Sequence, residues 1–327
     1  MRGEDRSMTE KSSTQMEARR FNYLGVHSMD HFAFTVPDLA EAAAFYSAFG
    51  LEVRAEGDAM GLYTFDSLHR WGVLREGKRK KFDHLSFGIY EDDLDRFRDR
   101  LKQLNIPLIA PPSGSENDGV WFHDEDGNRV EVAVRPRSSP TEKAVFGMAD
   151  MSGRAGVAAC PSRKDVACVR PRRLSHVAIY TTDVGEKIDF YTKVLGMRLS
   201  DRSGDFCAFL HGPHGSEHHM FAFVKSGGPG FHHCSWDVGS INDVGLGAEQ
   251  MQESGYHKGW GLGRHVVGSN YFYYATDPWG SHSEYSADMD YIPADCDWQP
   301  KDYGRDDRFT LWGGEPPEDF GRNFELE

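Results

Sequence analysis

The feature that most constrains this chain is that its sequence carries one pattern twice. The stretch MDHFAFTVPDLAEAAAFYSAFGLEV (29–53) matches LSHVAIYTTDVGEKIDFYTKVLGMRL (174–199). In each, alternating apolar residues predict a strand with a histidine near its start, and an aspartate then opens a helix that ends near a glycine. A repeat of this kind indicates that the chain is built from two copies of one structural unit.

The repeat continues along both halves of the chain. FDHLSFGIYEDDLDRFRDRLKQLNI (82–106) parallels FHHCSWDVGSINDVGLGAEQMQESGY (231–256), and HDEDGNRVEVAV (123–134) parallels TDPWGSHSEYSA (276–287). The first pair predicts a strand, a turn and a helix, and the second predicts a glycine turn followed by a glutamate on a strand. Each half thus holds two strand–helix units with extra strands between them, which predicts an α+β fold of two similar domains.

Length and composition divide the chain further. Its 327 residues suffice for two domains, each with its own core. Stretches rich in small, polar or proline residues mark the connections between them. The predicted parts are a disordered leader (1–23), an N-terminal domain (24–136), a linker (137–172), a C-terminal domain (173–290) and a tail (291–327).

Charge, hydropathy and cysteine content limit the partners and the cellular compartment that we expect for this chain. The net charge of −14 repels phosphate backbones, so no nucleic-acid partner is expected. No apolar run approaches the roughly 20 residues of a membrane span, so no membrane partner is expected. The five cysteines are odd in number and form no CxxC pair, which favours a reducing cytoplasm over a disulfide scaffold.

Histidine and glutamate recur at matching positions of the two halves. The C-terminal set is His176, His233 and Glu284, and the N-terminal set is His31, His84 and Glu131. Two imidazoles and one carboxylate form the facial triad of non-haem Fe(II) oxygenases, which leaves coordination positions open for substrate and O₂. Aligning FDHLSF with FHHCSW selects His233 over its neighbour His232. The C-terminal set therefore predicts an Fe(II) site, with Mn(II) as the alternative ion.

Four motifs together resemble a known family. They are LSHVAIYTTD, EHHMFAFV, FHHCSWDVGS and GRH…NYFYYATDPWGSHSEY, and the likeness spans residues 24–290. The chain resembles the vicinal-oxygen-chelate superfamily, and more narrowly the type I extradiol ring-cleaving dioxygenases, such as catechol and dihydroxybiphenyl dioxygenases. This resemblance implies tandem βαβββ modules, two per domain, with the working iron in the C-terminal domain. It also implies an aromatic diol and O₂ as substrates, and a homo-oligomer, either a dimer or a tetramer.

The resemblance also implies roles for three further residues. His219 matches the family's acid/base histidine, and His265 matches the residue that hydrogen-bonds a substrate oxygen. Tyr274 matches the phenol that assists deprotonation and orients the ring. One departure is Tyr273, which stands where the family usually has an aliphatic residue or phenylalanine.

The N-terminal set is unusual because family members have often lost it. Its spacings of 53 and 47 residues are close to the 57 and 51 of the C-terminal set. The companion residues differ, since Trp121 aligns with Tyr274 and Pro112 aligns roughly with His265. A second active iron is therefore not expected. The set is predicted to be a relic of duplication, with a vestigial or structural metal site as the alternative.

The sequence also suggests which residues surround the substrate. The aromatic residues expected to line the pocket are Phe206, Phe221, Trp236, Tyr256, Trp260 and Phe272. His282 lies two residues before Glu284 and is a candidate to support that ligand. His211 and His214, in LHGPHGS, are expected in an exposed loop.

Two other functions remain open from the sequence. One is a metal-dependent isomerase or lyase of the glyoxalase type, although such enzymes do not need His219, His265 and Tyr274. The other is a metal-free small-molecule binding module on the same scaffold. Oxygen consumption with a catechol separates the dioxygenase from both.

Overall fold

The computed structural model describes residues 19–115, 118–147, 155–304 and 309–327. The N-terminal half contains the elements β1 (Ser28–Val36), α1 (Leu39–Ala48), β2 (Glu52–Glu56), β3 (Ala59–Tyr63), β4 (Arg70–Glu76), β5 (Lys81–Ile89), α2 (Leu94–Gln103), β6 (Leu108–Ile109), β7 (Val120–His123) and β8 (Arg129–Val134).

The C-terminal half repeats this order and adds strands from the tail. It contains β9 (Arg173–Thr181), α3 (Val184–Leu195), β10 (Arg198–Ser203), β11 (Cys207–His211), β12 (Ser216–Glu217), β13 (Phe221–Lys225), β14 (Gly230–Asp237), α4 (Ile241–Glu253), β15 (Gly259–His265), β16 (Tyr271–Thr276), β17 (His282–Ala287), β18 (Tyr291–Ile292), β19 (Lys301–Asp302) and β20 (Thr310–Trp312). Short 3₁₀ turns lie at Glu91–Asp93, Arg163–Asp165 and Phe324–Leu326.

The two halves form sheets of the same topology. The N-terminal sheet has the order β2-β3-β4-β1-β5-β8-β7-β6, and the C-terminal sheet has β19-β10-β11-β13-β9-β14-β17-β16-β15-β20. Without β19 and β20, the second order is the first one repeated. In each sheet two βαβββ modules meet at an antiparallel central pair, β1 with β5 and β9 with β14. The predicted α+β fold of tandem modules is therefore confirmed.

The helices begin where the sequence places capping residues. The carboxylate of Asp38 accepts hydrogen bonds from the first backbone amides of α1, and Asp183 and Ser240 cap α3 and α4 in the same way. Each such cap stabilises its helix by about 1 kcal/mol. Helix α3 ends at Gly196, whose φ of 67° is the left-handed conformation that glycine adopts most readily.

Aromatic side chains join the two halves in one core. The Phe231 ring lies 5.3 Å from that of Phe32 and 5.1 Å from that of Phe34. Phe49 of the N-terminal half stacks on Tyr285 with ring centroids 3.8 Å apart. These residues all belong to one continuous buried cluster that spans both sheets. The sheets thus share apolar surface, which stabilises the position of one half against the other.

The connecting segments are tied to the N-terminal half. Of the predicted leader, residues 1–18 lie outside the described part of the chain, and Arg19 donates to the carboxylates of Asp92 and Asp93. In the predicted linker, the Ser138 hydroxyl donates to the Met29 carbonyl at 2.7 Å. No helix within the described ranges is long and apolar enough to cross a membrane.

Candidate metal centre

Three side chains from adjacent strands converge inside the C-terminal sheet. His176 lies on β9, His233 on β14 and Glu284 on β17. The His176 and His233 Nε2 atoms are 3.0 Å apart, and Glu284 Oε2 is 3.3 Å from the first and 3.9 Å from the second. All three residues are buried, and their candidate ligand atoms lie within 4.8 Å of one another.

The residues present fit a divalent transition-metal ion. Glu284 Oε2 is buried and lacks a hydrogen-bond partner, which is costly unless a cation satisfies it. Two ligand atoms about 2.1 Å from one ion at a right angle are about 3.0 Å apart, close to the observed spacing of the two imidazoles. The donor set of two imidazoles and one carboxylate suits Fe(II) or Mn(II).

β-Bulges give each ligand histidine a supporting neighbour. In the pairing of β9 with β14, Ser175 and His232 are each skipped by the register, so each is an extra residue directly before a ligand. His232 Nδ1 lies 2.6 Å from His233 Nδ1, and Ser175 Oγ lies 3.4 Å from His176 Nδ1. Such contacts orient the imidazoles, leaving both Nε2 atoms directed at the metal position.

Asn270 holds the carboxylate ligand, and the sequence did not indicate it. Its Nδ2 donates to Glu284 Oε1 at 3.1 Å and to Ser286 Oγ at 2.9 Å. Asn270 lies in the turn before β16, where a polar residue is common. A turn asparagine carries no signal of its own, and its role is visible only once β16 and β17 pair.

His219 lies beside the metal position with one nitrogen already engaged. Its ring centroid is 4.2 Å from that of His176, and its Nδ1 is 3.0 Å from His218 Nδ1. His218 Nε2 in turn lies 2.9 Å from the Asp201 carboxylate. Burial, and then the neighbouring imidazoles, hold the pKa of His219 well below its ordinary value. The neutral ring therefore borders the cavity, supported from behind by His218.

His265 and Tyr274 form a hydrogen-bonded pair on β15 and β16. The His265 Nδ1–H donates to the Phe309 carbonyl at 3.4 Å, which leaves Nε2 to accept from the Tyr274 hydroxyl at 3.1 Å. Burial lowers the pKa of His265 to about 4, and burial together with the Glu284 carboxylate raises the pKa of Tyr274 well above its ordinary value. The pair is thus a neutral imidazole facing a protonated phenol.

A cavity of about 460 Å³ opens onto these groups. Its apolar wall includes Phe206, Phe209, Val224, Trp260, Val267, Phe309, Pro316, Pro317 and Phe320. The last four belong to the tail, which closes one side of the cavity. Its volume and lining suit one small aromatic molecule placed against the metal position.

The pocket prediction is right for Phe206 and Trp260 and wrong for four residues. Phe221, Trp236, Tyr256 and Phe272 do not border the cavity. Phe221 and Trp236 are fully buried in the shared core, and Tyr256 packs edge-on to Phe45. Phe272 lies behind the site, stacked 3.9 Å from His265. Strand alternation directs the Phe221 and Trp236 rings into the core, whereas Tyr256 lies between α4 and β15, and composition alone could not show these positions.

Three histidine predictions also need correction or refinement. His211 and His214 are buried, not exposed. His211 ends strand β11, where its Nδ1 lies 2.7 Å from Ser200 Oγ, and His214 lies in the following loop, where its Nε2 donates to the Gly25 carbonyl of the N-terminal half at 3.1 Å. His282 contacts the tail instead of Glu284, since its Nε2 donates to the Phe320 carbonyl at 3.1 Å.

The N-terminal set brings its two histidines together as the C-terminal set does, but it does not bring all three candidate ligands together. His31 and His84 have their Nε2 atoms 3.2 Å apart. Trp121 pairs with Glu131 across β7 and β8 as Tyr274 pairs with Glu284, so the sequence alignment of these positions is confirmed. Within the described ranges, the C-terminal set alone has three ligand atoms within 4.8 Å of one another.

Comparison with known proteins places these features in a family. The model of the Glyoxalase/Bleomycin resistance protein/Dioxygenase superfamily matches residues 28–132 and 173–285, one range in each sheet. Metapyrocatechase 2 of Cupriavidus necator is 47% identical over 300 residues, which cover 92% of this chain and 93% of that protein.

Solved structures share the fold at lower sequence identity. A Mn(II)-bound glyoxalase from Novosphingobium aromaticivorans is 23% identical with a TM-score of 0.72, and covers 90% of this chain and 94% of its own. An extradiol ring-cleaving dioxygenase from B. fuscum is 20% identical with a TM-score of 0.72, and covers 91% of this chain and 82% of its own. These two likenesses concern the fold alone.

Proposed function

We infer the function of this chain from its family: it belongs to the glyoxalase/bleomycin resistance protein/dioxygenase superfamily and, within it, to the type I extradiol ring-cleaving dioxygenases. It inserts both atoms of O₂ into a catechol-type aromatic ring and releases a ring-opened semialdehyde, a step of aromatic catabolism. The observation that carries this inference is the buried set of His176, His233 and Glu284 at the end of an aromatic-lined cavity. The likeness to a metapyrocatechase over nearly the whole of both chains supports it.

The ion that we propose for this site is Fe(II). His176 and His233 would hold it through Nε2, and Glu284 through Oε2, the buried oxygen that lacks a partner. A bound ferrous ion supplies the means of passing electrons from the aromatic diol to O₂, since both can bind it together. Manganese is the alternative, because the same donor set accepts either ion. Metal-free protein reconstituted separately with Fe(II) and Mn(II) distinguishes them by the rate of turnover.

His265 and Tyr274 orient the diol and receive its proton. Both border the cavity next to Glu284, with the Tyr274 hydroxyl donating to His265 Nε2. A diol hydroxyl that reaches Nε2 would replace the phenol as the donor, and the freed phenol could then donate to a substrate oxygen. Trp260 stacks parallel to Tyr274 at 5.5 Å, which restrains the phenol ring. The pair therefore supplies both a proton acceptor and a positioned donor.

His219 handles the proton on the O₂ side of the site. It lies against His176 and borders the same cavity as His265 and Tyr274. Its Nδ1 faces His218, so Nε2 is the nitrogen available to hold a proton and return it to the developing product. A buried neutral imidazole is suited to this exchange because it accepts and donates without a lasting charge.

The walls of the cavity favour an uncharged aromatic diol. Aromatic rings, prolines and valines form most of the wall, and the charged side chain at the rim, Glu318, is acidic. A carboxylated ring would meet apolar surface and a like charge, which weakens its binding. We therefore propose catechol and catechols with alkyl or aryl substituents as substrates. Relative kcat/KM for methylcatechol and for a dihydroxybenzoate tests this preference.

One experiment tests the function directly. Metal-free protein is loaded with Fe(II) under anaerobic conditions and mixed with a catechol in air, while O₂ uptake and visible absorbance are followed together. The proposal predicts one O₂ consumed per catechol and a growing yellow product. Bound iron without O₂ uptake would point to an O₂-independent isomerase or lyase, and absence of metal binding would point to a binding module.

Cellular location and assembly follow from the same proposal. All five cysteines are free thiols in the structure, which fits a reducing cytoplasm. A homo-oligomer, dimer or tetramer, remains the family-based expectation. Light scattering coupled to size-exclusion chromatography measures it.

A further inference from the structure

The N-terminal half repeats the β-bulges of the metal centre, with different residues in them. In the pairing of β1 with β5, the register skips Asp30 and Asp83, the residues directly before His31 and His84. These positions correspond to Ser175 and His232 of the C-terminal sheet. Both bulges of the N-terminal sheet thus present a carboxylate where the C-terminal sheet presents a hydroxyl and an imidazole.

The two carboxylates determine which nitrogens of the imidazoles carry hydrogen. His31 Nδ1 lies 2.8 Å from Asp30 Oδ2, and His84 Nδ1 lies 3.0 Å from Asp83 Oδ2. A carboxylate is a pure acceptor at neutral pH, so both Nδ1 atoms must be the donors. Arg129 pairs with Asp83, and Arg135 Nε lies 3.7 Å from Asp30, which keeps both carboxylates ionised. Pairs of carboxylate and histidine are the usual support of metal-ligating imidazoles.

This arrangement leaves two lone pairs directed at each other. With hydrogen on both Nδ1 atoms, the Nε2 atoms of His31 and His84 are unprotonated acceptors only 3.2 Å apart. Both rings are buried, so water does not separate them freely. Two facing acceptors repel unless a cation lies between them. A shared proton would relieve the repulsion by charging one buried ring, and a metal ion would relieve it while keeping both rings neutral.

Glu131 lies beside this pair of imidazoles, but its oxygens are not within 4.8 Å of both Nε2 atoms. Its Oε2 accepts from Ser86 Oγ at 2.5 Å, while its Oε1 is buried and has no hydrogen-bond partner. The Glu131 side chain is almost fully buried, and it borders the same cavity of about 470 Å³ as His31 and His84. The nearest cation is Arg135, whose Nη2 lies 3.8 Å from Oε1. To reach an ion held by both imidazoles, the Glu131 carboxylate would have to turn toward them, and the ion would then satisfy the oxygen that the protein leaves without a partner.

We propose that His31 and His84 hold a second divalent transition-metal ion and that the Glu131 carboxylate turns toward this ion to complete the ligand set. This ion stabilises the N-terminal half and does not process substrate, because the residues around it are engaged otherwise. Trp121 stands where the cavity of the C-terminal sheet has Tyr274. His69 lies 15 residues before His84, much as His219 lies 14 before His233, and it donates its Nε2–H to the Asp30 carbonyl at 2.8 Å. The N-terminal set is therefore a working metal site without the proton-handling groups.

Metal stoichiometry with Zn²⁺ as the probe tests this proposal independently of turnover. The metal-free full chain is titrated in the presence of a competing chelator, and bound zinc is measured by mass spectrometry after gel filtration. We expect two zinc ions per chain in the wild type, one in His84→Ala, one in Glu284→Ala, and none in the double variant. His69→Ala is the matched control, since it removes an imidazole from the same cavity and should retain two.

The pattern of losses decides the outcome. One zinc per wild-type chain, lost in Glu284→Ala and kept in His84→Ala, would overturn the proposal and leave the shared proton as the explanation. Two zinc ions in every variant would also overturn it, because the second would then be bound elsewhere. If His84→Ala does not fold, His31→Gln and His84→Gln conserve side-chain volume and give the same reading. A second measurement uses cobalt(II) as the probe. The Glu284→Ala protein should show the visible absorption of bound cobalt(II), and the further substitution His84→Gln should abolish it.

Discussion

Glu284 is the residue on which the proposed metal centre depends most. It is fully buried, Asn270 holds one of its oxygens, and the other lies within 4 Å of both imidazole ligands. We expect Glu284→Gln to lose the C-terminal metal and catechol cleavage together, because it keeps the shape and removes the charge. Metal analysis and O₂ uptake check both effects. Glu318→Gln, an exposed carboxylate at the rim, is the control that should retain metal, and an active Glu284→Gln protein without metal would contradict the assignment.

His219 should separate metal binding from turnover. It touches a ligand ring but offers no ligand atom to the set of three. His219→Ala should therefore keep the C-terminal metal and lower kcat by about 10²–10⁴-fold, the range for a general acid or base. Exposed His257→Ala controls for general effects of removing an imidazole. An unchanged kcat in His219→Ala would remove this residue from the mechanism, and loss of metal would show a supporting role only.

Asn270 is expected to tune metal affinity. Its amide is the hydrogen-bond donor to Glu284 Oε1, and removing it frees the carboxylate to rotate. Partners of this kind are worth about 10–100-fold in metal affinity. Asn270→Ala should weaken metal binding by that factor with the fold intact, as measured by chelator competition and circular dichroism. Equal affinity in Asn270→Ala and wild type would show that strand packing alone positions Glu284.

The tail is the element that converts an open groove into a cavity. Its strand β20 extends the sheet beside β15, and its strand β19 extends the opposite edge beside β10. The backbone amide of Lys301 donates to Asp201, the same carboxylate that supports His218. The tail therefore closes the cavity and also anchors the residues behind His219.

Phe320 is the point at which the tail meets the site. Its ring stacks on His282 at 4.6 Å and lies edge-on to Tyr274 at 5.0 Å and Trp260 at 4.8 Å. Phe320→Ala should remove about 1 kcal/mol of aromatic contact and raise KM for catechol about fivefold, with metal content unchanged. Leu311→Ala, an exposed tail residue, is the matched control. A KM equal to that of the wild type would show that the tail borders the cavity without contacting substrate.

The repeat made the elements predictable, while their local irregularities were not. Alternating apolar residues and the caps Asp38 and Asp183 mark strands and helices because these signals are local. The bulges at Ser175 and His232 depend on how two distant strands pair, and no local pattern encodes them. The short strands β19 and β20 form only because the sheet edges are already present, which is why the sequence predicted just a tail.

At the scale of the whole molecule, too, the repeated positions were predictable from the sequence, and the packing between the two halves was not. His176, His233 and Glu284 were predictable because duplication repeats their positions, and the structure brings them together. The wall of the cavity was only partly predictable, since Phe221 and Trp236 face the core shared by the two sheets. His211 and His214 were misplaced because His211 belongs to strand β11 and the loop of His214 is covered by the other half of the chain, and sequence composition reveals neither.

Buried neutral histidines should make the whole molecule sensitive to acid. Burial lowers the pKa of His27 and of His211 to about 3, and that of His214 to about 4, from an ordinary 6.5. Because the folded pKa is lower, the unfolded chain gains protons first as pH falls below about 6.5. Each histidine thus contributes stability above that pH and loses it on acidification, by about 2 kcal/mol at pH 5.

Urea unfolding at pH 7 and at pH 5 measures this loss. His214→Gln should unfold with a shallower dependence on pH than the wild type, since it removes one of the groups that gain a proton on unfolding. Exposed His257→Gln should leave the dependence unchanged. If the free energy of unfolding is equal at both pH values, the buried histidines do not govern acid stability.

The most direct test of the central claim follows the oxygen atoms. The Fe(II)-loaded enzyme is given a catechol under isotopically heavy O₂, and the product is trapped rapidly, before its aldehyde exchanges with water, and weighed by mass spectrometry. We predict that the ring-opened product carries both heavy oxygen atoms, and that the Glu284→Gln protein forms none of it. A product that carries one heavy atom or none would contradict dioxygenase cleavage at this site.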